Sequence, residues 1–299
     1  MININTYNAE PDYFLRNAAI KNLCEKFNFL RRGTIGRSLC GREITALTIG
    51  NRLSPVLYAA AFHGSEWLNC LILLRLAEEV CEAYRSKSRP EGTDVYKILQ
   101  KRGLMIIPCV NPDGVEIALR GSSSCVKYKK LIDSVCADHR NWQANARGID
   151  LNHNFNAGFR ELKKLERENG ITSPAPTRYG GEAPFSEPET IALGNLCLRR
   201  RFSSAIAFHS QGREVYCAYK NTPRRSIKLG ETFASLSGYR VALPEKLATG
   251  GGFKDWMIGY LKTPAITVET GKGRNPLPLK CFLPEYERIR KALLRCLLV

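Results

Sequence analysis

No apolar run in this chain of 299 residues approaches the roughly 20 residues that a membrane-spanning helix requires, so no transmembrane segment is expected. The opening MININTYNAEPDYF has no basic start followed by an apolar stretch and a small-residue cleavage site, and the expected location is cytoplasmic. Cysteine pairs spaced as CxxC or CxxxxC are also absent. Eleven cysteines, an odd number, lie scattered, and Cys70, Cys81 and Cys109 sit in apolar runs where a thiol behaves as a small hydrophobe. Reduced, structural thiols are expected rather than a disulfide framework. Acidic residues are few, 28 against 45 lysines and arginines, for a net charge of +17. That excess implies an anionic partner: nucleic acid, an acidic membrane surface, or a polyanionic or carboxylate-rich substrate. The basic residues are dispersed in short runs, LRRG, KYKK, LRRR and PRRSIK, with no nucleic-acid motif beside them, so no nucleic-acid partner is expected.

What is present reads as a globular α/β chain, with 44% hydrophobic and 24% charged residues and length enough for a large core. A helical pattern runs from Tyr13 to Phe29, followed by GTIGRSLCGREITALTIG, a strand pair with Gly-rich turns. PVLYAAAFHGSE reads as a buried strand and turn that feed a helix over Trp67 to Tyr84. LMIIPCVNPDG reads as a buried strand ending in a Pro-Asp-Gly turn, and AIAFHSQG and PAITVETG are two more apolar runs ending on a polar residue and Gly. Such strands imply a largely parallel sheet, and ligands bind such sheets at the carboxyl ends of the strands. His63, His209 and Glu269 all fall at these ends. The segment from Gly121 to about Pro188 reads as one long polar loop, too long to be an idle connection. With no linker or repeat, 1–299 is expected to be one domain, with 1–30 as a helical extension packed on it.

The chain has four histidines, His63, His139, His153 and His209. A catalytic zinc takes three protein ligands and keeps one open position, and two histidines with one glutamate are a standard set. His63 and Glu66, spaced H-x-x-E from a turn into a helix, can converge on one ion, and His209 is the natural third ligand. Taken alone the H-x-x-E is equally a helix-start histidine beside a first-turn glutamate.

The order of several blocks adds specificity. GRSLCGREITALTIG, HGSE, VNPDGVE, GIDLNHNF, YGGEAPFSEPET, FHSQG and TVETG, from Gly36 to about Gly273, resemble the successive blocks of the zinc metallocarboxypeptidase family. The resemblance implies a single-domain carboxypeptidase-like fold: a mixed, mostly parallel, twisted sheet of about eight strands flanked by helices. It also implies one zinc ion per chain held by His63, Glu66 and His209, with Glu269 as the catalytic glutamate. A carboxylate in that position takes a proton from water as it attacks a carbonyl and returns it to the leaving amine.

Departures from the family bear on the substrate. In typical members an arginine at the position of His153, beside Asn152, grips the substrate's C-terminal carboxylate, and histidine cannot make the same always-charged, bidentate contact. The family's oxyanion arginine aligns with Gln143 in WQANARGID, leaving Arg147 or Arg140 to supply the charge. Leu247 stands near the place of a tyrosine found in relatives, and Ser65 stands where they often carry arginine. In TGGGFKDW the specificity-pocket position is Lys254, a cation that favours a side chain ending in a carboxylate. DLNHN and KDW resemble a bacterial branch that cleaves the γ-D-glutamyl to meso-diaminopimelate bond of peptidoglycan stem peptides. A murein peptide is therefore the expected substrate. The competing expectations are a zinc carboxypeptidase or amidase on other small acidic peptides or acyl amino acids, and a murein-peptide binder without catalysis.

Overall fold

A computed structural model of the chain describes residues 7–299. One sheet runs through it, built of β1 (Arg31–Arg37), β2 (Glu43–Ile49), β3 (Val56–Ala60), β4 (Leu104–Ile107), β5 (Ser204–His209), β6 (Glu214–Tyr216), β7 (Arg240–Val241) and β8 (Ala265–Glu269). The spatial order is β1-β2-β4-β3-β5-β8-β6-β7. The central strands β4, β3, β5 and β8 are mutually parallel, β6 pairs with β7 in parallel, and β1-β2, β2-β4 and β8-β6 are antiparallel. This mixed, mostly parallel sheet of eight strands is the expected one.

Helices α1 (Tyr13–Lys26), α2 (Leu68–Ser86), α3 (Val95–Lys101), α4 (Pro112–Arg120), α5 (Lys129–Val135), α6 (Phe159–Glu168), α7 (Pro188–Arg199), α8 (Arg224–Ser237), α9 (Phe253–Gly259) and α10 (Phe282–Arg295) cover both faces. One core lies between the sheet and α2, α8 and α10, where Leu71, Leu74, Val80, Phe233 and Leu293 are fully buried. A second lies on the other face beneath α7 and α9, around Phe62, Phe155, Phe253 and Trp256. Each such side chain contributes about 1.5–3 kcal/mol relative to an exposed one. The expected N-terminal extension is α1, capped by the Asp12 side chain on the Leu15 amide (2.8 Å) and ending at Phe27. Ala19, Ile20 and Leu23 tie it into the first core; the opening six residues of the extension lie outside the described residues.

Two expectations are corrected. The Pro-Asp-Gly after β4 is no turn but the first turn of α4, because Pro is accommodated at the first helical position and Asn111 Oδ1 accepts from the Gly114 amide (2.8 Å). The segment from Gly121 to Pro188 is not one loop: it holds α5 and α6. Both are short; α6 turns Phe159, Leu162 and Glu166 inward and is strongly amphipathic, a periodicity that the Gly and Pro residues of the surrounding segment obscured.

The first turn of α7 buries Glu189 completely. Burial, reinforced by Asp113 and Glu187, pushes its carboxyl from an ordinary value of 4.5 up to about 8. Below pH 4.5 the group is protonated in both folded and unfolded chains. Between 4.5 and about 8 only the unfolded chain releases its proton, so this residue's contribution to stability falls by about 1.4 kcal/mol per pH unit, and it is level above about 8. Urea unfolding of Glu189→Gln beside the wild type is expected to show the mutant gaining relative stability from pH 5 to pH 8. A constant difference over that range would refute the assignment.

Candidate active site

The parallel strands bring three distant segments to one end of the sheet. β5 and β8 pair in register so that His209 stands beside Glu269 at their carboxyl ends. β3 ends at Ala60, and the chain continues through Phe62 to His63 before a 3-10 turn over Gly64–Glu66 leads into α2. That turn is docked by its backbone, the Gly64 amide donating to Gln143 O (3.0 Å) and the Ser65 amide to Trp142 O (2.8 Å). A Cβ on Gly64 would stand 2.2 Å from Gly114 O, so the close approach requires glycine here.

Within this cluster His63 Nδ1 lies 2.8 Å from Glu66 Oε1, His209 Nδ1 lies 3.0 Å from Glu66 Oε2, and the two Nδ1 atoms face one another at 3.2 Å. Two imidazole nitrogens so placed, with a carboxylate between them, are the donor set of a metal site: zinc–nitrogen bonds of about 2.0–2.1 Å at tetrahedral angles set two nitrogens about 3.3 Å apart. The residues present fit the ion. His63 Nε2 donates to Asp150 Oδ1 (3.0 Å), which leaves Nδ1 as the lone-pair donor. His209 is positioned by Phe62, whose ring stacks on it at 5.2 Å.

Burial opposes charge on His63, but the carboxylates of Glu66 and Asp150 outweigh it and hold the imidazole well above its ordinary value. Burial also works against the Asp150 carboxylate, and His63 and His153 overcome it, keeping the group well below the usual carboxylate range. For Glu269 burial acts first and the Glu66 carboxylate adds to it, raising the carboxyl well above its ordinary value.

A cavity of about 140 Å³ opens over this cluster. His63, His209 and Glu269 line it, as do Gln143, Asn152, His153 and Lys254 from the sequence reading. Glu66 lies behind the histidines, 3% exposed, and reaches the cluster only through its carboxylate oxygens. Arg147 is not brought to the cavity: its guanidinium is held by Glu187 (2.7 and 3.2 Å) and by Ser186 O (3.1 Å). Arg140 is paired with Asp138 at the surface. Gln143 keeps the place, its side-chain oxygen accepting from Thr177 and its amide nitrogen left for a ligand. The His153 ring is tied through Nδ1 to Arg178 O (2.9 Å) and Glu166. Asn152 is tied too, Oδ1 accepting from the Phe253 amide (3.0 Å). Lys254, 5% exposed, donates to Ala218 O (2.9 Å) and to Asp255, so one of its three ammonium donors is left for a ligand.

Three residues of the site were not singled out from sequence. Asp150 was legible as the residue leading the DLNHN block, and its carboxylate braces three partners, His63, the Asn152 amide and the Arg178 amide. Arg178, just before the YGGEAPFSEPET block, and Tyr216 line the cavity from a loop and from β6.

The family model described as zinc carboxypeptidase matches residues 17–294. The chain belongs to the zinc carboxypeptidase family. It is a metallopeptidase of that family, 34% identical over 281 residues to gamma-D-glutamyl-L-diamino acid endopeptidase 1 of Lysinibacillus sphaericus, covering 92% of this chain and 69% of that protein. Among solved carboxypeptidase structures, bovine thrombin-activatable fibrinolysis inhibitor shares the fold at a TM-score of 0.75 and 18% identity, with 97% of each chain covered. The murein-tripeptide amidase of Escherichia coli O157 shares it at a TM-score of 0.53 and 24% identity, covering 88% of this chain and 91% of that one.

In this zinc carboxypeptidase the Asp150 brace has a measurable consequence. Asp150→Asn retains size but removes the charge that orients His63, and zinc affinity is expected to fall about 10- to 100-fold. Competition with a chromogenic chelator measures it; unchanged affinity would mean that Asp150 serves only the backbone around Asn152 and Arg178.

Proposed function

We propose that this metallopeptidase hydrolyses an amide bond in peptidoglycan stem peptides, the bond from γ-D-glutamate to meso-diaminopimelate. The observation that carries the reading is Lys254, a buried ammonium in the wall of the cavity that also holds Glu269 and both histidines. Diaminopimelate bears a second carboxylate on its side chain, and a buried cation with a free donor forms a charge-assisted hydrogen bond to such a group. The name of the Lysinibacillus sphaericus relative supports the same substrate class. At about 140 Å³ the cavity is below the roughly 300–1,000 Å³ of sites that enclose a whole small ligand. It admits one residue of the substrate, with the remainder of the peptide outside.

His63, Glu66 and His209 would hold the zinc, one ion per chain. When bound, the metal supplies Lewis acidity, lowering the pKa of water and polarising a carbonyl oxygen. Glu269 accepts the proton of the attacking water and returns it to the leaving amine; its low exposure to solvent favours a carboxyl that holds that proton between the two steps. The Gln143 amide faces the cavity as a neutral hydrogen-bond donor to the substrate carbonyl, in place of the arginine that the family resemblance led us to expect. Lys254 and His153 bind and orient the diaminopimelate end.

The test compares L-Ala-γ-D-Glu-meso-diaminopimelate with the same peptide ending in L-lysine. Wild-type kcat/KM is expected to favour the diaminopimelate peptide by about 10²-fold or more, and Lys254→Met to erase most of that preference, a loss of about 1.5–3 kcal/mol. Equal turnover of the two peptides by the wild type would sink the substrate assignment while leaving the peptidase chemistry intact.

A further inference from the structure

The basic runs LRRR and PRRSIK take no part in the active site, yet they meet in space. A cavity of about 920 Å³ opens at the amino ends of the same parallel strands, where Ser54, Ser203 and Pro264 precede β3, β5 and β8. Arg199, Arg200 and Arg201 enter it from the end of α7, Arg225 from the first turn of α8, and Lys101 and Arg102 from the end of α3. No aspartate or glutamate lines it. None of these six is paired with an aspartate or glutamate among the described residues, whereas Arg213 is matched to Glu285 and Arg290 to Glu79; Arg102 and Arg225 instead lie on the C-terminal residue, Val299.

Gathering six cations around a concavity with no acidic side chain costs electrostatic self-repulsion, and a concave wall of one sign focuses the field onto a ligand of the opposite sign. Two of the side chains are already anchored, Arg102 on Leu298 O and Val299 O (both 3.1 Å) and Arg225 on Val299 O (2.6 Å), which reduces the ordering that binding would require. Guanidinium forks match phosphate oxygens in pairs. The strands separate the two ends of the sheet by five or six residues, about 16–20 Å at ~3.3 Å per residue, so a ligand here leaves the catalytic cavity open.

We infer that this cleft is a second binding site, for a soluble anion carrying several phosphate groups. Inorganic tripolyphosphate is the probe, titrated calorimetrically into the full chain. Saturable binding at 20 mM salt is expected, at least about tenfold weaker at 200 mM, because exposed cations are screened over about a Debye length. The variant R199S/R200S/R201S is expected to bind at least tenfold more weakly while hydrolysing stem peptide at the wild-type rate. K101S/R225S, which alters two other elements, is expected to weaken binding in the same direction and guards against misfolding of the first variant. The inference is overturned by absence of binding at low salt, by equal affinity in both variants and the wild type, or by displacement of tripolyphosphate by murein peptide. Citrate binding as tightly as tripolyphosphate would overturn the phosphate assignment, as would binding only to vesicles of anionic phospholipid.

Discussion

Replacing Glu269 with glutamine is expected to lower kcat on stem peptide by about 10³- to 10⁴-fold, with KM within a fewfold of wild type and one zinc per chain retained. General acid–base catalysis by a positioned side chain is worth about 10²–10⁴-fold, and Glu269 is asked here both to accept and to return the same proton. The upper part of that range is expected because the neighbouring carboxylates are engaged, Glu214 by Tyr216 and Arg240. Glu66 is engaged by both histidines, and Asp150 by His63 and two backbone amides. Glutamine preserves the shape at the end of β8 and can neither take nor carry the proton. Stopped assays at saturating peptide, paired with metal analysis of the same preparation, measure the effect. Activity within tenfold of wild type at full zinc occupancy would move the base elsewhere, with Glu214, directly across from Glu269 on β6, the next residue to test.

His209→Ala is expected to lose zinc and activity together, by about 10⁴-fold in turnover at micromolar metal. The side chain is 2% exposed and faces both His63 and Glu66, so alanine leaves those two residues to hold the ion from one turn of chain. Two ligands within a single H-x-x-E segment cannot complete the three-ligand set of a catalytic zinc. The loss should not be a general unfolding. His209 ends β5, whose inward residues Ala205, Ile206 and Phe208 remain fully packed, so thermal denaturation of the metal-free proteins should give nearly the same midpoint. Retention of stoichiometric zinc by the alanine variant would place the ion outside this cluster.

How much of this was legible depended on the range of the forces involved. The apolar runs over β3, β4, β5 and β8 are local in sequence, and those of β3, β5 and β8 end where a polar residue enters the site, so His63, His209 and Glu269 could be set at strand ends before any geometry was known. Helices α5 and α6 were not seen because Gly and Pro interrupt the segment around them, although α6 carries apolar residues three apart at Phe159, Leu162 and Leu165. The Pro-Asp-Gly of α4 was misread because the residue that makes it helical is the preceding Asn111, whose side chain caps the helix and also donates to Phe62 O (3.0 Å) and Ala144 O (3.1 Å) across the fold.

The sequence by itself determined the six longer strands, the family and the residue types that can bind a metal and move a proton, because burial and turn chemistry repeat at short range; the short β6 and β7 were not legible. Only the tertiary structure decided which charges are free to act. Arg147 and Gln143 lie four residues apart, yet Glu187 captures the first and the cavity receives the second. Lys254 enters the cavity partly neutralised by Asp255, and Arg178, next to the YGGEAPFSEPET block, reaches the same space. Charges choose partners by distance and desolvation, and both are settled when segments far apart in the chain pack together.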